Sequence, residues 1–338
     1  MKDGEFITLA FETSCDETSV ALVADGREVL SNVISSQIDV HKVFGGVVPE
    51  IASRHHLENI NQVYKSAMDE GGVRLEDVDL IGVTCGPGLV GALLIGIASA
   101  KAFAYAKGIP LVGVHHIGGH ISANYIEHKD LEPPFLSLVV SGGHTHLVHV
   151  KEYNDYEVLG RTRDDAAGEA FDKVARVLGL GYPGGPKIDE AAKSGNPHSI
   201  EFKRIMLEKD SLDFSFSGLK TGVLNYLNTR KLKGDTVNVN DVAAAFQLAV
   251  VEVLVAKALM AADHVGCKKL VLAGGVAANS LLRELLSDAC GREGISLYYP
   301  SHLLCTDNAA MIGCAAYYKY RDGITDDMSL DAYPSLTL

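Results

Sequence analysis

The chain has 338 residues, 47% apolar and 22% charged, with a formal net charge of −13. That length accommodates two domains, each with its own core, and the charge argues against a chain that grips nucleic acid by itself over a broad basic face. Six cysteines (Cys15, Cys85, Cys267, Cys290, Cys305 and Cys314) show no Cys-x-x-Cys spacing and predict free thiols rather than a disulfide framework.

Three strands are predicted over residues 5–36, then an amphipathic helix at 49–70, a strand at Leu80–Cys85 and a helix at 88–107. A strand at Leu111–Val114 and a helix at 117–128 follow, and Pro133-Pro134 breaks the chain. Beyond the break the order repeats, with strands at 135–140, 145–150 and 156–160 and helices at 166–178, 215–229 and 241–265. Asn240 is expected to cap the last of these and Gly266 to end it. A strand at Lys269–Ala273, a helix at 277–290, a strand at Ser296–Tyr299 and a helix at 307–320 complete the reading. Alternating strands and helices imply a largely parallel sheet in each half, with the first three strands antiparallel. Met1–Glu5 is too acidic to read as a signal peptide. The apolar stretch Leu89–Ala100 falls short of the ~18–20 residues that cross a bilayer, so a cytoplasmic chain is expected.

Two passages share one shape: Leu9 to Val23 around Glu12-Thr13-Ser14-Cys15-Asp16, and Leu136 to Val150 around Ser141-Gly142-Gly143-His144. Each is an apolar strand, a tight turn of small polar residues and a second apolar strand. Such turns expose N–H groups suited to phosphate oxygens, and two of them point to a duplicated fold with ligand held between the halves. Small residues recur from Gly88 to Ala102 and from Ala309 to Ala316, which suits either two helices crossing at a hinge or ordinary buried helices.

His116 and His120 stand four apart, on one face if helical, the spacing of a two-histidine metal site. Gly118 and Gly119 between them cost about 1 kcal/mol each in helix stability, so something is expected to approach the backbone there. Ile117 stands where a His-Glu-x-x-His peptidase needs its general-base glutamate. Asp307 suits either a third ligand or a helix N-cap, and the sequence leaves the two open. The glycines of Ala273-Gly274-Gly275-Val276-Ala277-Ala278-Asn279 would let a ligand approach the backbone at a helix start. Gly86-Pro87-Gly88 is expected to be a structural turn, and Tyr182 to Pro186 a stiff loop followed by Asp189. Asp164, Asp165, Glu169 and Asp172 predict a mostly solvated acidic face with one member at most toward a ligand.

With these motifs the chain resembles the bacterial TsaD family of tRNA threonylcarbamoyladenosine transferases, in the actin, sugar-kinase and heat-shock ATPase superfamily. The resemblance runs nearly end to end, through Glu12 to Thr18, Gly45 to Glu50, Gly86 to Leu89, His115 to His120, Ser141 to Thr145, Asp164 to Lys173, Tyr182 to Pro186, Phe214 to Thr221, Ala273 to Asn279 and Cys305 to Asn308. It implies an α/β chain of two duplicated actin-like lobes, each a mixed sheet with helices, with a ligand cleft between them. The N-terminal lobe would be 1–132, completed by the helix 307–322, and the C-terminal lobe 133–306.

The resemblance also implies a reaction: threonylcarbamoyl-AMP gives its acyl group to the exocyclic amine of the adenosine 3′ of the anticodon, in tRNAs reading codons that begin with A, and AMP leaves. His116, His120 and Asp307 are carried over as ligands of one divalent metal ion per chain, iron(II) or zinc. Val139, Val140, Ser141, Gly142 and Gly143 are carried over as the loop against the acyl-phosphate end, and Asp172, Gly185, Asp189 and Asn279 as contacts to the nucleoside and its ribose. Glu12 and His144 are candidates for polarising or proton-handling roles, and Cys15 is expected to support the first loop rather than attack. Protein partners resembling TsaB and TsaE would help an acidic chain to hold tRNA. An ATP-dependent kinase or chaperone-like ATPase on the same fold is the alternative.

Overall fold

Ile7–Glu12 is buried at every position, a pattern that only a strand covered on both faces can satisfy. In the computed structural model, which describes residues 4–208 and 210–338, this strand (β1) is the centre of the first of two units. That unit comprises Met1–Pro133, Lys151–Tyr156 and Pro300–Leu338; the second comprises Pro134–Val150 and Glu157–Tyr299.

In the first unit β1 pairs antiparallel with β2 (Glu17–Ala24), which pairs antiparallel with β3 (Glu28–Ser36). The short helix α1 (Ile38–Lys42) and the long α2 (Pro49–Gly71) follow, and β4 (Leu80–Gly86) lies parallel to β1. Helix α3 (Val90–Lys107) leads to β5 (Leu111–His115), parallel to β4, and then directly to α4 (His116–Glu127). The sheet order is β3-β2-β1-β4-β5. Phe11, Tyr64 and Phe103 stack where β1, α2 and α3 meet.

The second unit repeats the plan. β6 (Phe135–Val140) pairs antiparallel with β7 (Thr145–Glu152), and β8 (Asp155–Arg161) lies beyond β7. Helices α5 (Ala167–Val177), α6 (Gly184–Ala192), α7 (Ser217–Lys233) and α8 (Val239–Val265) precede β9 (Lys269–Ala273), which runs parallel to β6. Then come α9 (Ser280–Glu293) and β10 (Ser296–Tyr298), parallel to β9. The order β10-β9-β6-β7-β8 is that of the first sheet, position for position, so the duplication seen in the two hairpins extends to the whole topology. Helix α8 is apolar and long enough to cross a membrane by length and composition, but 83% of its apolar window is buried as the core of this unit.

The last two helices, α10 (His302–Cys305) and α11 (Ala309–Arg321), belong to the first unit. The small residues of α11 lie flat on its sheet: a Cβ on Gly313 would lie 2.8 Å from Val23 Cγ2, and one on Gly82 would lie 2.6 Å from Ala316 Cβ. Gly96 of α3 and Gly88 just before it admit the first turn, against Thr13 and Ser14 respectively. The small face of α11 therefore packs on the sheet and that of α3 on the first turn and, at Gly91, on Ser53 of α2. The Gly86 turn is structural as expected, since a Cβ there would meet Tyr333 O at 2.1 Å.

Three local expectations change. Asn238, not Asn240, caps α8, its side chain accepting from Asn240 N; Gly266 ends the helix at φ 66°. The stretch after Tyr182-Pro183 is the first turn of α6 rather than a loop. Helices α1 and α10 are additional to the predicted elements, each too short for a periodic signal.

Candidate functional site

Strand β5 ends at His115, whose Nδ1 accepts from Ile117 N and caps α4. His116 and His120 open that helix, one turn apart, and their rings meet edge to face with centroids 4.6 Å apart. Helix α4 lies against α11: a Cβ on Gly119 would come within 2.7 Å of Ile312 Cδ1. The backbone approach anticipated at the glycine pair is thus that of another helix, and Gly119 is the residue that requires it. The approach brings the residues just before α11 to the histidines. Asp307 Oδ1 lies 3.2 Å from His120 Nε2 and 3.5 Å from His116 Nε2.

The cap reading of Asp307 fails, because Asn308 caps α11, its side chain accepting from Met311 N at 3.1 Å. Donor atoms of His116, His120 and Asp307 fall within 4.8 Å of one another. Among the described residues, neither ring nitrogen of His120, buried at 1% exposure, has a hydrogen-bond partner. A buried imidazole is rarely left so, and two imidazoles with one carboxylate form a donor set suited to a divalent transition metal. The residues fit an ion.

Behind His116 sits Glu12, fully buried at the end of β1. Its Oε1 accepts from Ser14 N at 2.5 Å, and its Oε2 accepts from Thr84 Oγ1 at 2.6 Å and faces His116 Nδ1 at 3.1 Å. The first turn is therefore closed by its own glutamate. Burial opposes a charge on His116, but the carboxylates of Asp307 and Glu12 outweigh it and raise the ring to about 9. Burial likewise works to raise Glu12, and His116 holds it below the usual carboxylate range. The pocket is electrostatically built for positive charge. Burial pushes the Cys15 thiol well up, with Asp16 and Asp307 adding to it. The Cys15 carbonyl accepts from His56 Nε2 at 2.9 Å, which ties the turn to α2.

In the second unit the other candidates gather at the C-terminal ends of β6 and β9. Parallel strands that end in such turns commonly bind ligands there. Ser141 N donates to His144 O and His144 N to Ser141 Oγ, while Gly142 and Gly143 stand exposed at the tip. His144 stacks on His146, with centroids 5.6 Å apart. Gly274, at φ +89°, is required by the strand it passes, since a Cβ would lie 2.5 Å from Val140 O; a Cβ on Gly275 would meet nothing within 4 Å.

Asp172 Oδ1 accepts from Gly184 N at 2.6 Å, next to Gly185 at the α6 N-terminus, and Asp189 lies one turn further along. Asp189 Oδ1 takes Ser280 Oγ at 2.7 Å and Gln247 Nε2 at 3.1 Å, with Asn279 Nδ2 at 3.4 Å. Asn279 itself caps α9 through Leu282 N. Gln247 and Ser280 are not among the residues that the sequence singles out. The signal for Gln247 was an amide in the apolar run of α8; Ser280 carried none.

The acidic stretch is also more ordered than a solvated face. Asp164 accepts from Ser215 Oγ, Phe216 N, Ser217 N and Ser217 Oγ, and Lys173 pairs with Asp165 and Glu169. All six cysteines are free, as expected.

Among solved structures the fold is similar to HypF from T. kodakarensis, with TM-score 0.64 and 14% identity over 94% of this chain and 48% of that one. It is also similar to component A of the (R)-2-hydroxyglutaryl-CoA dehydratase of Acidaminococcus fermentans, with TM-score 0.54 and 15% identity over 94% and 99%. At such identities these likenesses concern the fold alone.

Curated relatives are far more similar in sequence. A protein of Clostridioides difficile strain 630 is 61% identical over 99% of both chains, and one of Clostridium beijerinckii is 60% identical over 98% of both. Both are named tRNA N6-adenosine threonylcarbamoyltransferase. The TsaD family model, tRNA N6-adenosine threonylcarbamoyltransferase, matches residues 28–314, and the chain belongs to that family.

Proposed function

We propose that this transferase holds one divalent ion, iron(II) with zinc as the alternative occupant, on His116, His120 and Asp307. We further propose that it takes threonylcarbamoyl-AMP as donor on Val139 to Gly143, Asp172, Gly185, Asp189 and Asn279. The observation that carries the metal assignment is His120: a buried ring with no hydrogen bond at either nitrogen, whose Nε2 faces the Asp307 carboxylate at 3.2 Å. The acceptor is the exocyclic amine of the adenosine 3′ of the anticodon in tRNAs reading codons that begin with A. N6 attacks the carbamoyl carbon, the bond from that carbon to the phosphate oxygen breaks, AMP leaves and N6 loses a proton. An arylamine is a weak nucleophile and the donor is already activated, so positioning and charge stabilisation do most of the work. When bound, the ion supplies Lewis acidity toward phosphate oxygens.

Glu12 takes a supporting role in this reading. Its carboxylate orients His116 and keeps Nε2 available, as outer partners of metal-bound histidines do. His144, in the exposed turn, is the remaining candidate for proton handling. With a net charge of −13, the chain binds tRNA weakly by itself at physiological salt, and partners resembling TsaB and TsaE supply the rest in the cytoplasm.

Elemental analysis of the purified protein tests the reading. About one transition-metal ion per chain is expected, lost together with transfer activity in His120→Ala. Absence of metal after anaerobic reconstitution with iron(II) and with zinc overturns it. A kinase would instead turn over ATP with a hydroxylated acceptor and retain that activity in His120→Ala.

A further inference from the structure

Helix α8 is the most apolar helix of the second unit, and Gln247 interrupts its buried run at 3% exposure. An amide in such a place costs folding free energy unless both ends are hydrogen-bonded. Both ends are. Nε2 donates to Asp189 Oδ1 at 3.1 Å, and Oε1 accepts from Asn279 Nδ2 at 3.2 Å. Asn279 cannot turn its amide over, because its Oδ1 accepts from Leu282 N at 2.9 Å. Gln247 therefore meets an acceptor on one residue and a donor on the other, a pairing that neither glutamate nor leucine can make.

The consequence falls on Asp189. Its Oδ1 takes Gln247, Asn279 and Ser280 Oγ, at 3.1, 3.4 and 2.7 Å. Among the described residues its Oδ2 accepts only from Ser280 N, at 3.4 Å. A carboxylate oxygen offers about two lone-pair sites; the two shorter contacts, Ser280 Oγ and Gln247 Nε2, fill those of Oδ1, Asn279 Nδ2 lying nearer to Gln247 Oε1, and Oδ2 is the oxygen left to accept from a ligand.

We propose that Gln247 is a positioning residue: it saturates Oδ1, aims Oδ2 of Asp189 at one ribose hydroxyl of the bound adenylate, and so sets a preference for ribonucleotide over deoxyribonucleotide. The proposal rests on the assignment of Asp189 and Asn279 to the nucleoside end of the donor. Gln247 acts on the ligand through Asp189.

The test is calorimetric titration of the full-length protein with AMP, 2′-deoxy-AMP and 3′-deoxy-AMP. Wild type should prefer AMP over one of the two deoxy forms by about ten-fold, the worth of one hydrogen bond to a charged group. Gln247→Met keeps volume and removes both hydrogen bonds. It should weaken AMP by about ten-fold while barely changing that deoxy form, so that the discrimination collapses. In an Asp189→Ala background the same substitution should add nothing. A lowered melting temperature with discrimination intact would make Gln247 a packing residue and overturn the proposal. Ser280→Ala, at an exposed position, removes another Oδ1 donor without disturbing the core and should narrow the discrimination; an unchanged ratio there overturns it too. Asp189→Ala that binds AMP as wild type does would remove the underlying assignment instead, an outcome distinct from either.

Discussion

Oε2 of Glu12 lies 3.1 Å from Nδ1 of His116, and Nε2 of the same ring lies 3.5 Å from Asp307 Oδ1. The two Glu12 oxygens already accept from Ser14 N and Thr84 Oγ1, so the carboxylate offers His116 only acceptors. The proton of the neutral ring then sits on Nδ1, and the Nε2 lone pair is left toward Asp307. Glu12→Gln puts an NH₂ group among these donors and favours the other tautomer. Metal affinity should fall about 10- to 100-fold, measured by competition with a chromogenic chelator. Wild-type affinity would remove Glu12 from any role in orienting the ring.

Asp307 and Asn308 are adjacent and do different things. Asp307→Asn should keep the α11 cap, since Asn308 supplies it, while metal content and acyl transfer drop together. Asn308→Ala should give the opposite pattern, losing about 1 kcal/mol of stability with the cap and retaining metal. Equal metal content in wild type and Asp307→Asn would leave the histidine pair without its third ligand.

Asp164 predicts a pH dependence. Partial burial works to raise its carboxyl, but hydrogen bonds from Ser215, Phe216 N and Ser217 outweigh it and hold the group below its ordinary value. A depressed folded value stabilises the protein above the unfolded value, about 3.9, and that stability is lost as pH falls through the folded one. Asp164→Asn should therefore melt below wild type at pH 7, and the gap should close under acid conditions. A gap that stays constant from pH 7 to pH 3 would contradict this.

Lys257 is buried in α8, with Nζ donating to Met206 O at 2.9 Å and Ser211 O at 2.5 Å. Burial holds its ammonium below the ordinary lysine value. Lys257→Met removes both donors and leaves two carbonyls unpaired, which costs more than the bonds themselves gain. Limited proteolysis should then cut within 201–216 faster than in wild type, with the pattern elsewhere unchanged. Equal cutting rates would show that the segment is held by other contacts.

Much of the fold was legible because its signals are local. Apolar runs such as Phe135–Val140 and Lys269–Ala273 became β6 and β9, and the two like hairpins announced two like sheets. Helix ends were read less well, since Asn238 and Asn240 offer the same capping chemistry and only the path of the chain selects between them.

The spacing of His116 and His120 was likewise fixed by the sequence, because one helical turn separates residues four apart. Everything that joins those histidines to the rest of the site came from tertiary structure. Asp307 reaches them because Gly119 lets α4 and α11 approach closely. Glu12 reaches His116 because parallel strands β1, β4 and β5 lie side by side and end together. Gln247 meets Asp189 and Asn279 only once α8 lies beside α6 and α9. Local periodicity specifies which residues share a face. Which faces then meet is decided by packing among elements far apart in the chain, and no spacing within one element encodes it.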